Sequence, residues 1–408
     1  MISKDMTAGK FIPSTMKNSK IYQFISQKYD LLNLPPAARI EHLKDNQGIS
    51  DVDPGPGKAI DEAVEWICSA QDFSLQDDGG VARHYSLLTG WSSSYPETTG
   101  YIIPTLLDQA HRTNNDLLRQ RARRMLDWLV DIQMPTGAFK GGMVDQHPSA
   151  PVVFNTGQIL LGLARGVVEF GEAYRMPLIK AADWLVQVQD ADGCWRKFSS
   201  PFAAAGEKTY DTHVAWGLLA AAHVDKKKAY SHAALNNVRW ALSWQKDNGW
   251  FDKCCILDVE NPLTHTLGYA LRGVLEAYRF SQDDTLLDGA VRTADGLLSA
   301  LQPDGFLPGR FDPNWQTTVP WACLTGSVQI ALCWFMLYEI TGDEKYRTAA
   351  RNVNRYARRT MNLNGSSATR GGIKGSFPVS GGYCPYEYIN WACKFFIDAN
   401  LAELSINK

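Results

Sequence analysis

The sequence lacks several features that would indicate a function directly. Its 8 cysteines form no Cys-x-x-Cys pair, so the pattern favours reduced thiols over a zinc site or a disulfide framework. The longest mostly apolar run, near residues 328–337, is much shorter than the roughly 20 residues that span a bilayer. The 41 basic and 43 acidic residues leave a net charge of −2, which argues against binding nucleic acid through bulk charge. We therefore expect no metal, no cofactor, no nucleic-acid partner and no membrane partner.

The N-terminal segment carries no targeting signal that we can identify. Residues 1–20 are polar and lack the apolar centre of a secretory signal, so a cytoplasmic location is expected. The oligomeric state is left open. By contrast, aromatic residues and glycine are plentiful, with 13 Trp, 16 Tyr, 16 Phe and 33 Gly.

A repeat of about 57 residues organises the chain. An amphipathic segment ending in Gln recurs five times, with Gln at positions 71, 133, 189, 245 and 302, and a degenerate sixth copy lies near 356–362. A turn with Gly and an aromatic residue follows four of these Gln residues, as in Gly193-Cys-Trp195. Glycine suits a tight turn because it tolerates positive φ.

A second helix, poorer in charge, is predicted in each repeat. The six segments lie near 96–111, 155–170, 211–223, 264–280, 326–340 and 387–404. Their composition predicts burial on most sides, whereas the Gln-ending helices carry one charged face. Six hairpins close a ring without exposed ends, so the fold class is predicted as all-α, an (α/α)6 toroid, over residues 58–408. Residues 1–57, rich in Pro and Gly near their end, are predicted to form an N-terminal extension.

Two resemblances follow from these repeats. The segment from Gln189 through Gly193 to Trp195 resembles the Gln-x-x-x-Gly-x-Trp motif of the squalene-cyclase and prenyltransferase-like superfamily. No Asp-x-Asp-Asp or Asp-Asp-x-x-Asp segment is present, so this resemblance implies helix–turn packing and no terpenoid reaction. In length and architecture the chain also resembles carbohydrate-active six-hairpin toroids: unsaturated glucuronyl hydrolases, N-acylglucosamine epimerases and toroidal polysaccharide lyases.

The long loops that lead into the second helices are the expected location of function. They combine glycine with aromatic and basic residues, which would suit an acidic sugar, although basic surface residues and loop-pinning aromatics are also common. The candidate substrate-binding residues from these loops are Arg83, His84, Tyr85, Trp91, Lys140, Trp195, Arg310 and Tyr383.

A polar residue followed by Thr often begins the second helix. Helix capping accounts for part of this pattern, but Glu97 and His265 are poor caps. We therefore predict Glu97, Asp211 and His265 as catalytic residues, with capping an equal alternative for Asp211. The further candidates for substrate binding near these helix starts are Asn155, Gln158, Tyr210, His213, Tyr388 and Asn390.

The leading hypothesis for function is a glycoside hydrolase that acts on an acidic, uronate-containing oligo- or polysaccharide. Glu97 and Asp211 would act as general acid and base on opposite sides of a site at the loop end of the ring. One alternative is a uronate lyase or epimerase, in which a His or Tyr removes a proton from carbon. A second alternative is a glycan-binding toroid without catalytic activity.

Overall fold

The computed structural model describes residues 31–406. Thirteen α-helices lie within this range, and the first, α1 (Pro36–Asp45), precedes the repeats. Six helices, each the first of its repeat, are α2 (Pro56–Asp72), α4 (Asp116–Asp131), α6 (Arg175–Val188), α8 (Lys228–Leu242), α10 (Asp284–Ser299) and α12 (Glu344–Arg359). Six partner helices alternate with them: α3 (Pro96–Thr113), α5 (Val153–Phe170), α7 (Thr212–Asp225), α9 (Thr264–Ser281), α11 (Leu324–Thr341) and α13 (Asn390–Ile406).

The partner helices form the inner wall of a closed ring. Each contacts the next in order, and α13 returns to contact α3. They are buried on most sides, whereas the outer helices bury one face, as the repeat composition predicts. The predicted (α/α)6 toroid is confirmed. The strands within the described range are short: β1 (His84–Ser86), β2 (Gly90–Trp91), β3 (Ala322–Cys323), β4 (Ser376–Phe377) and β5 (Glu387–Ile389).

The recurrent Gln and Gly join neighbouring outer helices. The Nε2 of Gln189 donates to the carbonyl of Gly193 at 3.0 Å and to that of Ala233, on α8, at 2.9 Å. Gly193 has a φ of 93°, and a Cβ there would lie 2.7 Å from the backbone of Asn236. Glycine is therefore required at position 193 for two reasons: its φ is positive, and the next helix approaches closely.

The last repeat is tied to the first. Strand β1 pairs with β5 in antiparallel register, and the backbone N–H of Asn390 donates to the carbonyl of Arg83 at 3.2 Å. The same contact recurs around the ring, because Val153, Thr264 and Leu324 each donate to a carbonyl in the loop of the following repeat. These bonds satisfy N–H groups that helix starts leave without partners.

The segment before the ring packs on the sixth repeat. The Nζ of Lys374 lies 2.6 Å from a carboxylate oxygen of Glu41 and 2.5 Å from one of Asp45, and all three side chains are buried. Arg358 binds Asp53 through two nitrogens, each at 2.7 Å. The division into residues 1–57 and 58–408 stays a prediction, and its first 30 positions lie outside the described residues.

Helix α11 is the one described helix long and apolar enough to cross a membrane by length and composition. Of its 18-residue window, 78% is buried inside the protein. It contacts α9, α12 and α13, so its apolar surface packs within the ring. Burial among other helices accounts for its composition.

Candidate functional site

A cavity of about 200 Å³ lies at the loop end of the inner ring. Loops of the first, third, fourth and sixth repeats reach it, together with the first turns of α3, α5, α9 and α13. Its polar and charged side chains include Arg83, Glu97 and His265, and the remaining wall is largely aromatic. The structure thus brings two of the three predicted catalytic residues into one cavity.

Glu97 lies in the first turn of α3 and is almost fully buried. Burial raises the pKa of its carboxyl to about 7, although a hydrogen bond from Tyr95 and the charge of Arg83 act in the opposite direction. The phenol of Tyr95 donates to Oε2 of Glu97 at 2.9 Å. A carboxyl with this pKa exchanges a proton near neutral pH, as a general acid or base must.

His265 occupies the first turn of α9, and its ring nitrogens face different surroundings. Nδ1 lies 2.7 Å from Oε1 of Gln329 on α11, so with this amide orientation Nδ1 carries the proton and donates it. Burial lowers the pKa of His265 to about 4. The imidazole is therefore neutral near pH 7, with Nε2 as the unprotonated nitrogen.

Arg83 is the cationic side chain among the residues that line the cavity. Its Nη1 donates to Oε2 of Glu387 at 3.2 Å, and its guanidinium lies 5.0 Å from the centre of the Trp391 ring. The indole of Trp391 in turn donates to the hydroxyl of Tyr383 at 2.9 Å. These contacts hold the cation against an aromatic face at the cavity wall.

Asp211 lies in a small adjoining cavity of about 20 Å³. Phe154, Ser200, Ala203 and Tyr210 line both cavities and so form the wall between Asp211 and the cavity that contains Glu97. The side chain makes no capping bond to α7, so the capping alternative has no support. Burial raises the pKa of Asp211 to about 8, which leaves the carboxyl mostly protonated at neutral pH.

Among the predicted substrate-binding residues, Arg83, Tyr210 and Tyr383 line the cavity that contains Glu97, and the others do not. Trp195 lines the small adjoining cavity instead. Tyr85 and Trp91 pack together, with ring centres 5.1 Å apart, and His84 lies near Glu387. Residues buried in the ring wall away from the cavity are Asn155, Gln158, His213, Tyr388 and Asn390.

Most of the basic residues in the long loops hold the loops in place. Lys140 donates to the carbonyls of Val144 and Gln146, and Arg310 donates to that of Asn261. Other loop cations pair with carboxylates: Arg196 with Asp190, Asp192 and Glu207, Lys253 with Glu207, Arg370 with Glu62, and Lys374 with Glu41 and Asp45. In the described loops these basic residues therefore bind other parts of the protein, whereas the sequence suggests that they suit an acidic sugar.

Sequence reasoning missed several aromatic side chains of the cavity. Tyr101 and Tyr269 each lie four residues after a predicted catalytic residue, so they share its helical face. That spacing could have identified them. The other missed cavity residues are Tyr95, Thr98, Phe154, Ser200, Phe202, Ala203, Ile256, Thr266, Cys384 and Trp391.

Neither a protein-family model nor a curated protein sequence matches this chain. Solved structures do match over most of its length. An unsaturated glucuronyl hydrolase specific for heparin has a TM-score of 0.70 at 17% identity, covering 87% of this chain and 98% of its own. A D-mannose isomerase has a TM-score of 0.68 at 12% identity, with coverages of 86% and 98%. The cellobiose 2-epimerase of Bacillus thermoamylovorans B4167 has a TM-score of 0.67 at 12% identity, with coverages of 83% and 96%. At these identities, the likeness establishes the toroid fold.

Proposed function

We propose that this protein is a carbohydrate-active enzyme, and specifically a glycoside hydrolase that acts on an acidic oligosaccharide. The observation that carries the proposal is the position of Glu97, whose buried carboxyl faces an aromatic cavity at the centre of the ring. The three structural neighbours described above are named as a glucuronyl hydrolase, an epimerase and an isomerase, which supports a carbohydrate substrate. A cytoplasmic location remains part of the proposal.

The cavity suits one sugar ring. Its volume of about 200 Å³ is below the usual range for ligand pockets, roughly 300–1,000 Å³, so a chain end fits better than the middle of a polymer. Tyr101, Tyr210 and Tyr269 supply flat faces and hydroxyl groups in the same wall. Sugar rings present both C–H faces and hydroxyls, and this wall complements both.

Two features support a negatively charged substrate. Arg83 is the cation in the cavity wall, and the first turns of four inner helices face the same space through Glu97, Phe154, His265 and Trp391. Helix starts carry a partial positive charge that favours an anion within the first turn. A uronate carboxylate beside Arg83 would benefit from both.

The hydrolytic mechanism uses Glu97 as the proton donor to the leaving oxygen. At neutral pH about half of the Glu97 carboxyls hold a proton, since the pKa is about 7. Asp211 lines the small adjoining cavity and not this one, so a role as the base requires the wall between the two cavities to open. The proposed mechanism therefore depends more on Glu97 than on Asp211.

A uronate epimerase or lyase is the second candidate, and His265 supports it. The neutral imidazole offers Nε2 as a base, while the Glu97 carboxyl still carries a proton. Environments that push the pKa values of two groups apart in this way are typical of an acid–base pair. In this mechanism Nε2 removes a proton from carbon, and Glu97 delivers one.

One assay separates the candidates. The protein is incubated in D₂O with uronate-terminated oligosaccharides and with neutral disaccharides as controls. New reducing ends without ultraviolet absorbance would indicate hydrolysis. New reducing ends together with the ultraviolet absorbance of a 4,5-unsaturated uronate would indicate a lyase, and deuterium on carbon without cleavage would indicate an epimerase. Each activity is expected to disappear in Glu97→Gln. Glycan binding without turnover would favour a non-catalytic toroid. The absence of both turnover and binding would contradict the proposal.

A further inference from the structure

A second cavity, of about 430 Å³, lies inside the ring beyond the first one. All six inner helices line it, and on the four helices that also line the first cavity its residues, apart from the shared Tyr101, lie further along the helix. Tyr101 lines both cavities and so stands between them. The second cavity therefore opens toward the end of the ring where the short connections lie, away from Glu97 and His265.

The wall of this cavity contains buried charges. Lys394 is 2% exposed, and its Nζ lies 2.6 Å from Oδ2 of Asp398. Oδ1 of Asp398 accepts a hydrogen bond from Thr105 at 2.6 Å. Nearer the rim, Arg165 donates through Nη2 to Asp108 at 2.6 Å. Burying such charges is costly unless partners or a ligand compensate for the lost water.

Hydrogen-bond donors outnumber acceptors in this wall. Lys394 has three N–H donors and gives one to Oδ2 of Asp398, while Oδ1 of Asp398 accepts from Thr105. Arg272 binds Glu276 through Nε and Nη2 only, and the Nε of Arg165 is buried without an acceptor. A ligand that completes this site must therefore supply acceptors.

The helix dipoles do not cancel these positive charges. Inner helices end toward this side of the ring, and a helix end carries partial negative charge over its last turn. Lys394 lies near the start of α13, and Arg272 lies near the middle of α9. Both side chains are thus beyond the reach of the terminal dipole. Each of the three cations has one carboxylate partner, Asp398 for Lys394, Glu276 for Arg272 and Asp108 for Arg165, so a ligand would meet their unused N–H donors rather than a net charge.

The rest of the wall is apolar and fits the body of a small molecule. Leu161, Ala164, Trp216 and Leu332 contribute to it, and the Arg272 guanidinium lies 4.2 Å from the centre of the Trp216 ring. The volume falls within the usual range of small-molecule pockets. We propose that this cavity binds a small organic carboxylate of monosaccharide size, whose anionic group meets Lys394, Arg272 and Arg165.

Titration calorimetry with D-glucuronate tests the site, with D-glucose as the neutral match and inorganic phosphate as a second anion. Because the first cavity is also proposed to bind an acid, the measurement uses an Arg83→Gln background. Glucuronate is expected to bind this variant with one site, at least tenfold more tightly than glucose or phosphate. Equal binding of phosphate would overturn the carboxylate assignment, and no binding would overturn the site.

Two variants assign the binding to the second cavity. Ala164→Leu fills the space without changing a charge, and Lys394→Met removes a cation. Each is expected to weaken glucuronate binding at least tenfold in the Arg83→Gln background. If Lys394→Met fails to fold, the Ala164→Leu result stands alone, and unchanged binding there would contradict the proposal. Turnover at the first cavity is measured separately, so this site and the proposed function can fail independently.

Discussion

The hydroxyl of Tyr95 donates to Oε2 of Glu97 at 2.9 Å, two residues away along the chain and inside the same cavity. This bond favours the carboxylate, whereas burial favours the protonated acid and has the larger effect. The pKa of about 7 is the outcome of this competition.

Tyr95→Phe is expected to raise the pKa of Glu97 above 7, because only the bond that favours the carboxylate is lost. A hydrogen bond to a charged group contributes roughly 1.5–3 kcal/mol, which corresponds to about one to two pH units. The alkaline limb of the pH–rate profile should move upward by that amount. Tyr101→Phe is the matched control, since Tyr101 lines the cavity without bonding to Glu97, and an equal shift there would contradict the assignment.

Glu97 should also make stability depend on pH. Its pKa rises from an ordinary 4.5 to about 7 on folding, so its contribution is complete below pH 4.5 and is lost as the pH rises through 7. At 1.36 kcal/mol per unit, the free energy of unfolding should fall by about 3 kcal/mol over this interval. Urea unfolding of the wild type and Glu97→Gln at pH 5 and pH 8 measures the difference. Parallel changes in both proteins would show that Glu97 is not the source.

Gln329 is expected to position the imidazole of His265. Gln329→Leu removes the acceptor for Nδ1, and a loss of about 1.4 kcal/mol would lower kcat roughly tenfold with little change in KM. The tautomer of His265, observed by nitrogen NMR of the imidazole, should become mixed. A purely structural role would leave the tautomer unchanged.

The chain contains a matched control for this test. Nδ1 of His213 lies 2.6 Å from Oε1 of Gln158, in the same geometry but outside the cavity. Gln158→Leu should therefore alter the tautomer of His213 without lowering kcat. A similar loss of kcat in both variants would indicate a general effect on packing.

The buried contact between the N-terminal segment and the sixth repeat should contribute strongly to stability. Lys374→Met leaves Glu41 and Asp45 buried without their cation, which is expected to cost roughly 3–5 kcal/mol of unfolding free energy. Arg370→Gln breaks the more exposed pair with Glu62 and should cost less than about 1 kcal/mol. Chemical denaturation compares the two variants. Similar losses of unfolding free energy in the two variants would show that the buried cluster stabilises the fold no more than the exposed pair does.

Much of the fold could be predicted because the residues that determine it lie close together in sequence. Gln189 and Gly193 sit four positions apart, and their bond to the next helix repeats wherever that spacing repeats. Glu97 and His265 could be identified because neither caps a helix well, yet both begin one.

The partners of the loop cations could not be predicted, since they are set by distant parts of the chain. Lys374 meets Asp45, which lies 329 residues earlier, and no local pattern connects the two. The sequence around a basic loop residue does not show whether the residue binds a ligand or a carboxylate of another repeat. Asp211 raises the same difficulty, because the wall between it and the cavity includes Phe154 and Tyr210, which come from different repeats and pack with ring centres 5.5 Å apart.

The order in which the chain is made bears on when this cavity can exist. Glu97 is synthesised well before Tyr383 and Trp391, which line the same cavity. The bond that closes the ring, from Asn390 to Arg83, also awaits the synthesis of α13. A ribosome-bound chain that has not reached α13 therefore holds Glu97 without part of the wall around it. The proposed activity would appear only once α13 has been made.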